Sequence, residues 1–371
     1  MSGQHIPGSV LLAGGGTAGH VSPLLAVADC LRRRRPDVAI TVLGTAQGLE
    51  SRLVPARGYD LALVPKVPLP RRLSADLLRL PGQLRAAIRA ADRALTSSQA
   101  EVVVGFGGYV ATPAYLAARR RGIPVVVHEQ NARPGLANRL GSRGAAAVAV
   151  TFPETALPRA VVTGMPLRTE ITGLVRASRR EEAAAHFGLD PQRPTLLVTG
   201  GSLGAQRINE AVREALPDLS AAGIQVLHVT GAGKDYPAPP PPQGGAPCVV
   251  LAYVDAMELA YAVADLVLAR AGANTVCELT AVGLPAVYVP LPIGNGEQRL
   301  NARHVVAAGG GVLVEDAALT TQWVRENVPA MFGEPGQLGR MAAAAASAGE
   351  RGGDELVVDL VLAAAATREA R

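Results

Sequence analysis

From residue 10 onward the chain repeats one pattern: a short apolar run, a turn containing glycine, and a longer stretch in which Ala and Leu recur at helical spacing among arginines. An apolar run that ends on such a turn and opens an amphipathic helix is the signature of a βαβ unit, and many in series predict parallel strands under helices. Residues 10–13, 39–43, 102–104, 125–127 and 147–150 form one set of candidate strands. A second set follows at 195–199, 225–229, 248–252, 266–268 and 286–289. Two sets of about five strands each need a helix-covered sheet of their own, so the expected fold class is α/β with two Rossmann-like domains. The seam falls in Thr163-Gly164-Met165-Pro166-Leu167-Arg168, which divides the chain into domains 1–165 and 166–353. The proline-rich segment 237–243 lies between two strands of the second set and reads as a loop inside that domain. The amphipathic stretch 354–366 has no strand after it, and periodicity alone leaves open which domain it joins.

Composition narrows the class. With 371 residues, 49% hydrophobic and 18% charged, the chain can bury two cores and is no disordered tail. Cys30, Cys248 and Cys277 are far apart, form no metal or redox spacing, and fit a reducing compartment. Residues 1–9 hold neither a charged n-region nor an apolar h-region, which argues against secretion. No run reaches the roughly 18 apolar residues of a membrane span, so any membrane contact is expected to be peripheral. The net charge of +5 is mild, but the basic residues are bunched. Leu69-Pro70-Arg71-Arg72-Leu73, continuing through Leu77, Leu78, Arg79, Leu80, Leu84, Arg85 and Ile88, mixes leucine and arginine as an interfacial patch or as an ordinary amphipathic helix. Arg32–Arg35 ends the first helix, where cations suit the dipole, and reads as plain surface.

The glycine turns carry the candidate chemistry. A glycine turn between strand and helix lets the backbone approach a ligand, and the N–H groups at a helix start favour anions. Gly14, Gly16 and Gly19 satisfy G-x-G-x-x-G, which admits a dinucleotide reading. The acid expected at the end of the second strand to hold a ribose is missing there, since that strand ends Val42-Leu43-Gly44-Thr45. The second turn, Gly200-Gly201-Ser202-Leu203-Gly204, contains G-x-S-x-G and admits a hydrolase with Ser202, Asp265 and His304 in order, although no HGGG-type oxyanion segment accompanies it. Both could also be no more than tight turns. Two further segments, Gly105-Phe106-Gly107-Gly108-Tyr109 and His128-Glu129-Gln130-Asn131, follow strands of the first set, so these groups gather at strand C-terminal ends, where open α/β sheets bind ligands. In the second half, Arg270 to Glu278 and Gly294 to Asn301 add a carboxylate suited to ribose hydroxyls and amides suited to sugars. Glu278 taken alone is as well explained by a first-turn acid favoured by the helix dipole.

Five ordered motifs resemble one family: Gly-Gly-Gly-Thr-Ala-Gly-His at 14–20, Gly-Phe-Gly-Gly-Tyr at 105–109, His-Glu-Gln-Asn-Ala-Arg-Pro-Gly at 128–135, Gly-Gly-Ser-Leu-Gly-Ala at 200–205, and Arg-Ala-Gly-Ala through Glu278 to Gln298-Arg-Leu-Asn-Ala. The family is that of the MurG transferases, which move N-acetylglucosamine (GlcNAc) from UDP onto the lipid-linked MurNAc-pentapeptide called lipid I. The resemblance implies the GT-B fold, two Rossmann-like domains facing a cleft, with the final helix, 354–371, packing back onto the first. It implies that the C-terminal domain holds UDP-GlcNAc. Gly204, Ser202 and Leu203 would lie at the diphosphate, Glu278 at the ribose, the backbone near Val254 at the uracil, and Ala273, Asn274, Thr275 and Gln298 at the sugar, with Arg168 contacting the donor. On the acceptor side it implies His20 as general base, with orientation of the acceptor pyrophosphate or a structural role as its alternatives, Glu129 as a second catalytic candidate, and Thr17, Gly19 and Asn131 as binding residues. Met165 in the Gly-x-Pro-x-Arg segment and Glu297, where a second glutamine is common, depart from the family pattern. The activity implied is an inverting transfer to the MurNAc 4-hydroxyl in peptidoglycan synthesis. No Asp-x-Asp motif is present, so no metal and no cofactor are expected. The partners implied are UDP-GlcNAc, lipid I, the cytoplasmic face of the cell membrane, met peripherally through residues 69–88, and division or elongation proteins, with no nucleic acid.

Overall fold

The structure, a computed structural model, describes residues 7–66 and 76–369. It divides into two compact units, residues 1–168 with 351–371, and residues 169–350. In the first unit β1 (Ser9–Ala13), β2 (Ala39–Gly44), β3 (Asp60–Leu63), β4 (Val102–Gly105), β5 (Val125–Glu129), β6 (Ala147–Val150) and β7 (Ala160–Val162) form a seven-stranded parallel sheet in the order β3-β2-β1-β4-β5-β6-β7. In the second, β8 (Thr195–Thr199), β9 (Gln225–Val229), β10 (Cys248–Leu251), β11 (Leu266–Ala269), β12 (Ala286–Tyr288) and β13 (Gly311–Leu313) form a six-stranded parallel sheet in the order β10-β9-β8-β11-β12-β13.

The central strands are wholly buried because both faces are covered, which is why they read as unbroken apolar runs. Alternate residues of β1 show the period of two: Val10 and Leu12 pack under helices Ala18–Arg34 and Gly353–Glu369, while Leu11 and Ala13 face Ile88, Ala91 and Val110 on the other side. Three strands, β3, β7 and β13, go beyond the two sets of about five that the apolar runs predict. All three are edge strands of three or four residues that pair on one side only, and in β7 Val161 and Val162 are about half exposed, at 49% and 52%. Such strands need no continuous apolar run, so periodicity misses them.

The last helix belongs to the first unit, where Val357, Val358 and Val361 are fully buried in its core. This corrects the reading of Arg32–Arg35 as plain surface. Arg33 pairs with Asp354 at 3.1 Å, Arg34 pairs with Asp359 at 2.8 Å, and Arg32 lies 3.9 Å over the Tyr59 ring. The cationic end of helix Ala18–Arg34 thus meets the acidic start of Gly353–Glu369, each charge also suiting the end of its own helix.

The proposed interfacial patch divides. Leu69 to Leu73 lies outside the described residues, and of Leu77, Leu78 and Arg79 only the helical backbone, within Asp76–Ser97, is described. Further along that helix Ile88 is buried in the core and Leu84 packs against it, while Arg85 is exposed. From Leu84 onward the apolar stripe therefore faces the protein's own sheet. Among the described residues no helix is long and apolar enough to cross a membrane.

In both sheets the order reverses once, between β1 and β4 and between β8 and β11. Connections leave such a point toward opposite faces, so the loops after those strands part and open a crevice at the strand C-terminal ends. The fold makes the terminal helix part of the first core. Val361→Ala is expected to destabilise that unit by roughly 2 kcal/mol from two lost methyls and the space they leave, read as a lower midpoint of its transition in urea.

Candidate active site

In the first unit the loop after β1 begins at Gly14, and Gly16 adopts a φ of +91°. Its backbone closes on an internal side chain. Glu50 is fully buried; one carboxylate oxygen accepts from Gly16 N at 2.9 Å, and the other accepts from Thr45 N and Thr45 Oγ1, each at 2.8 Å. A Cβ at Gly15, Gly44 or Gly48 would lie 2.4, 2.4 or 2.0 Å from Glu50 atoms, so all three positions must be bare. The anion favoured by this strand-to-helix turn is supplied by the chain itself. Glu50 takes the Gly16 N–H that a dinucleotide phosphate would use, and the acid absent from the end of β2 reappears six residues further on with a different task.

His20 stands in the first turn of the following helix, half-buried, with Nδ1 3.3 Å from Thr17 Oγ1. Its ring lies against the turn after β4: a Cβ at Gly107 would be 3.4 Å from His20 Nε2, and one at Gly108 would be 3.5 Å from Nδ1. Gly107 and Gly108 have φ of +85° and +72°, a backbone conformation in which any side chain is strained. Burial holds the imidazole below its ordinary pKa, against an upward pull from Glu129, a backbone hydrogen bond with Gly15, and Glu50. Thr17 and Gly19 are exposed beside it.

Glu129 ends β5, and both of its oxygens are engaged. Oε1 accepts from Asn131 N at 2.9 Å and Asn131 Nδ2 at 3.4 Å; Oε2 accepts from Gly135 N at 3.0 Å and Asn138 Nδ2 at 2.9 Å. Asn138 also donates to His128 O at 3.0 Å and accepts from Tyr115 OH at 2.7 Å. This buried net folds loop 130–135 back over the sheet edge and presents Asn131. His128 is buried, donates through Nε2 to Gly164 O at 3.2 Å, and has a pKa pushed down to about 4 by burial, so it is a neutral structural ring.

The second unit repeats the strand, glycine turn and helix with a different outcome. Gly201 and Gly204 have φ of +80° and +66°, and a Cβ at Gly201 would meet nothing within 4 Å. Ser202 is half-buried and Leu203 is exposed at the rim. Gly204 presses on the loop after β9, where a Cβ would fall 1.9 Å from Thr230 O, and Lys234 from that loop donates to Leu203 O at 2.8 Å. An open glycine turn therefore carries an ammonium at its rim.

The other candidates of this unit follow neighbouring strands. Val254 is buried after β10. Helix Ala273–Ala281 starts just after β11 and carries Ala273, Asn274, Thr275 and Glu278; Tyr261 OH donates to Glu278 Oε2 at 2.7 Å. Gln298 in helix Glu297–Ala307 accepts from Leu291 N at 3.0 Å, and Asn301 donates to Ala271 O at 3.3 Å. Because the sheet is parallel, all of these sit at one edge of it. Arg168, half-buried, is the last residue of the first unit before the chain enters the second.

Asp265 rules out the hydrolase arrangement. It precedes β11 and pairs with Arg180 at 2.8 Å and with Thr195 N at 2.8 Å, at the N-terminal edge of the sheet, whereas Ser202 follows the C-terminal edge. The two are separated by the length of a strand, roughly 16 Å. Three groups escaped the sequence reading: Glu50, Tyr261 and Lys234. Only Glu50 left a signal, since glycines at 44 and 48 on either side of a turn mark a place where a side chain folds inward.

Comparisons with known proteins agree with this geometry. Residues 10–150 match the glycosyltransferase family 28 N-terminal domain and residues 195–357 its C-terminal domain. A Streptomyces coelicolor protein named UDP-N-acetylglucosamine–N-acetylmuramyl-(pentapeptide) pyrophosphoryl-undecaprenol N-acetylglucosamine transferase is 57% identical over 98% of this chain and 100% of its own length. A Nocardioides protein of the same name is 60% identical over 95% of this chain and 97% of its own. Among solved structures, Acinetobacter baumannii MurG superimposes with a TM-score of 0.72 at 32% identity, covering 96% of this chain and 99% of that one. The calicheamicin glycosyltransferase CalG4, at a TM-score of 0.67 and 21% identity over 96% of this chain and 98% of that one, shares the fold. The chain is thus a glycosyltransferase of the GT-B fold and belongs to glycosyltransferase family 28, within its MurG branch.

Proposed function

We propose that this enzyme transfers GlcNAc from UDP-GlcNAc to the MurNAc 4-hydroxyl of lipid I, with inversion and without a protein-held metal, yielding lipid II. The observation that carries this reading is the near full-length identity to relatives named for that transfer. The donor belongs to the second unit. Backbone N–H groups of loop 201–204 and the Ser202 hydroxyl hold the diphosphate, the backbone at Val254 takes the uracil, and Glu278 takes the ribose. Ala273, Asn274, Thr275 and Gln298 meet the sugar. Glycine backbone and a helix start favour the charge of departing UDP, and Arg168 adds a further cation, so a divalent ion is dispensable.

The acceptor belongs to the first unit, with Thr17, Gly19 and Asn131 as its contacts. His20 takes the proton of the 4-hydroxyl as that oxygen bonds to the anomeric carbon and the bond from that carbon to the UDP oxygen breaks. Both oxygens of Glu129 are held by its own loop, which favours holding Asn131 in place and biasing His20 electrostatically over taking a proton. Because lipid I resides in a bilayer, the enzyme works at the cytoplasmic membrane surface as a peripheral protein, through residues before Leu84.

The deciding experiment is transfer of radiolabel to a lipid I analogue. UDP-GlcNAc is expected to support it, and UDP-glucose and UDP-GalNAc to do so poorly; equal use of all three, or no product, overturns the reading. A chelator is expected to leave the rate unchanged. His20→Ala should lower kcat by about 10² to 10⁴. A base must be neutral to act, and burial lowers the pKa of His20, so the midpoint of the acid limb of wild-type kcat/KM should lie below that of an ordinary imidazole. Glu278→Ala should raise KM for UDP-GlcNAc by about 10-fold to 100-fold, the worth of a hydrogen bond to a charged group, with a smaller change in kcat. Gly204→Ala should abolish detectable UDP binding by calorimetry, because its new Cβ falls on Thr230 O.

A further inference from the structure

We propose that Glu50 is a positioning residue for the transfer: its carboxylate is a built-in anion that fixes the first glycine loop from its inner side, and with it Thr17 and His20. This rests on the reading of His20 as the base. Glu50 comes from helix Glu50–Ala56 and is fully buried, yet it spends its oxygens on Gly16 N, Thr45 N and Thr45 Oγ1 and on no basic side chain among the described contacts. A buried carboxylate placed against backbone donors is stable only if those donors stay where they are, so it works as a clamp on them. Gly15, Gly44 and Gly48 are bare because the clamp occupies the space their side chains would need.

What the clamp holds is the approach to His20. Gly16 leads directly into Thr17, whose hydroxyl meets His20 Nδ1, and the carbonyl of Gly15 lies against Gly108, which supports the other side of the ring. Tyr109 joins the same cluster, its hydroxyl 3.4 Å from Thr45 Oγ1. The charged groups that act on the imidazole are Glu129, which ends β5, and Glu50 behind the loop, while Tyr109 from helix Gly108–Arg120 lies against Gly16. Glu50 acts on His20 in two ways, through loop geometry and through its charge, which favours the imidazolium.

Glu50→Gln separates these effects from ordinary structural loss. The amide keeps the shape but turns an N–H₂ toward either Gly16 N–H or Thr45 N–H, so donor faces donor and the loop moves. A base displaced by about 1 Å loses about 100-fold in rate. The expected result is a kcat down by that order, UDP-GlcNAc KM within about 2-fold of wild type because the donor lies in the other unit, and an acid limb of kcat/KM moved to lower pH because a charge supporting protonated His20 is gone. Wild-type kcat with an unmoved limb overturns the proposal, as does a loss confined to donor KM. If Glu50→Gln does not fold, Thr45→Val decides, since it removes one donor and keeps the charge. A kcat lowered about 5-fold at unchanged UDP-GlcNAc affinity and an unmoved limb supports the clamp, and an unchanged kcat overturns it. Failure of the wild-type protein to transfer at all sinks the functional reading instead, so the two failures are distinct.

Discussion

A backbone N–H released at the end of a buried parallel strand must find an acceptor, and the two glycine turns of this protein meet that demand in opposite ways. After β1 the acceptor is internal, the Glu50 carboxylate, which takes the N–H of Gly16 and that of Thr45. After β8 the glycine N–H groups bond within the loop, Gly204 N to Gly201 O at 2.9 Å and Gly201 N to Thr199 Oγ1 at 3.2 Å. One βαβ device thus gives a turn clamped by an internal anion in one unit and an open turn in the other.

The difference is set by what the neighbouring strand supplies. The turn after β2 sends a carboxylate into the first loop, past three glycines that make way for it. The turn after β9 sends no carboxylate into the second; it presses its own glycine, Gly231, against Gly204 and places Lys234 at the rim. A negative charge against the first turn disfavours a second anion there and so opposes the helix dipole's attraction, while a positive charge beside the second favours one and adds to it.

Much of this architecture was legible before any coordinates. Strands covered on both faces must be apolar throughout, so β1, β4, β5, β8 and β11 announce themselves, and glycine turns after β1 and β8 mark the points where the sheets reverse. The edge strands β3, β7 and β13 were not legible, because half-exposed residues paired on one side need no pattern. The arginines of 32–35 looked like solvent-facing charge because their partners, Asp354 and Asp359, come from the far end of the chain. Motif reading gathered the polar residues that follow the strands but was blind to how each is held. That Glu129 is engaged through both oxygens, or that Tyr261 donates to Glu278, depends on contacts between residues far apart in sequence or on turn geometry that no spacing rule encodes.

The same contacts bear on how catalytic work is distributed. A base is most useful when its proton-accepting nitrogen is fixed before the acceptor arrives, since rigidity established during folding is not lost again at binding. Around His20 that rigidity comes from groups that touch no substrate in the proposed mechanism: glycines 107 and 108 with left-handed backbone, Glu50 behind the loop, and the Tyr115–Asn138–Glu129 net beneath it. The two carboxylates also oppose the desolvation that lowers the pKa of His20, so its basicity is a balance between burial, which keeps it neutral and ready, and nearby charge, which stabilises it once protonated. Removing either carboxylate would tilt that balance toward the neutral ring, which is present in greater amount at low pH but is a weaker base in the step itself.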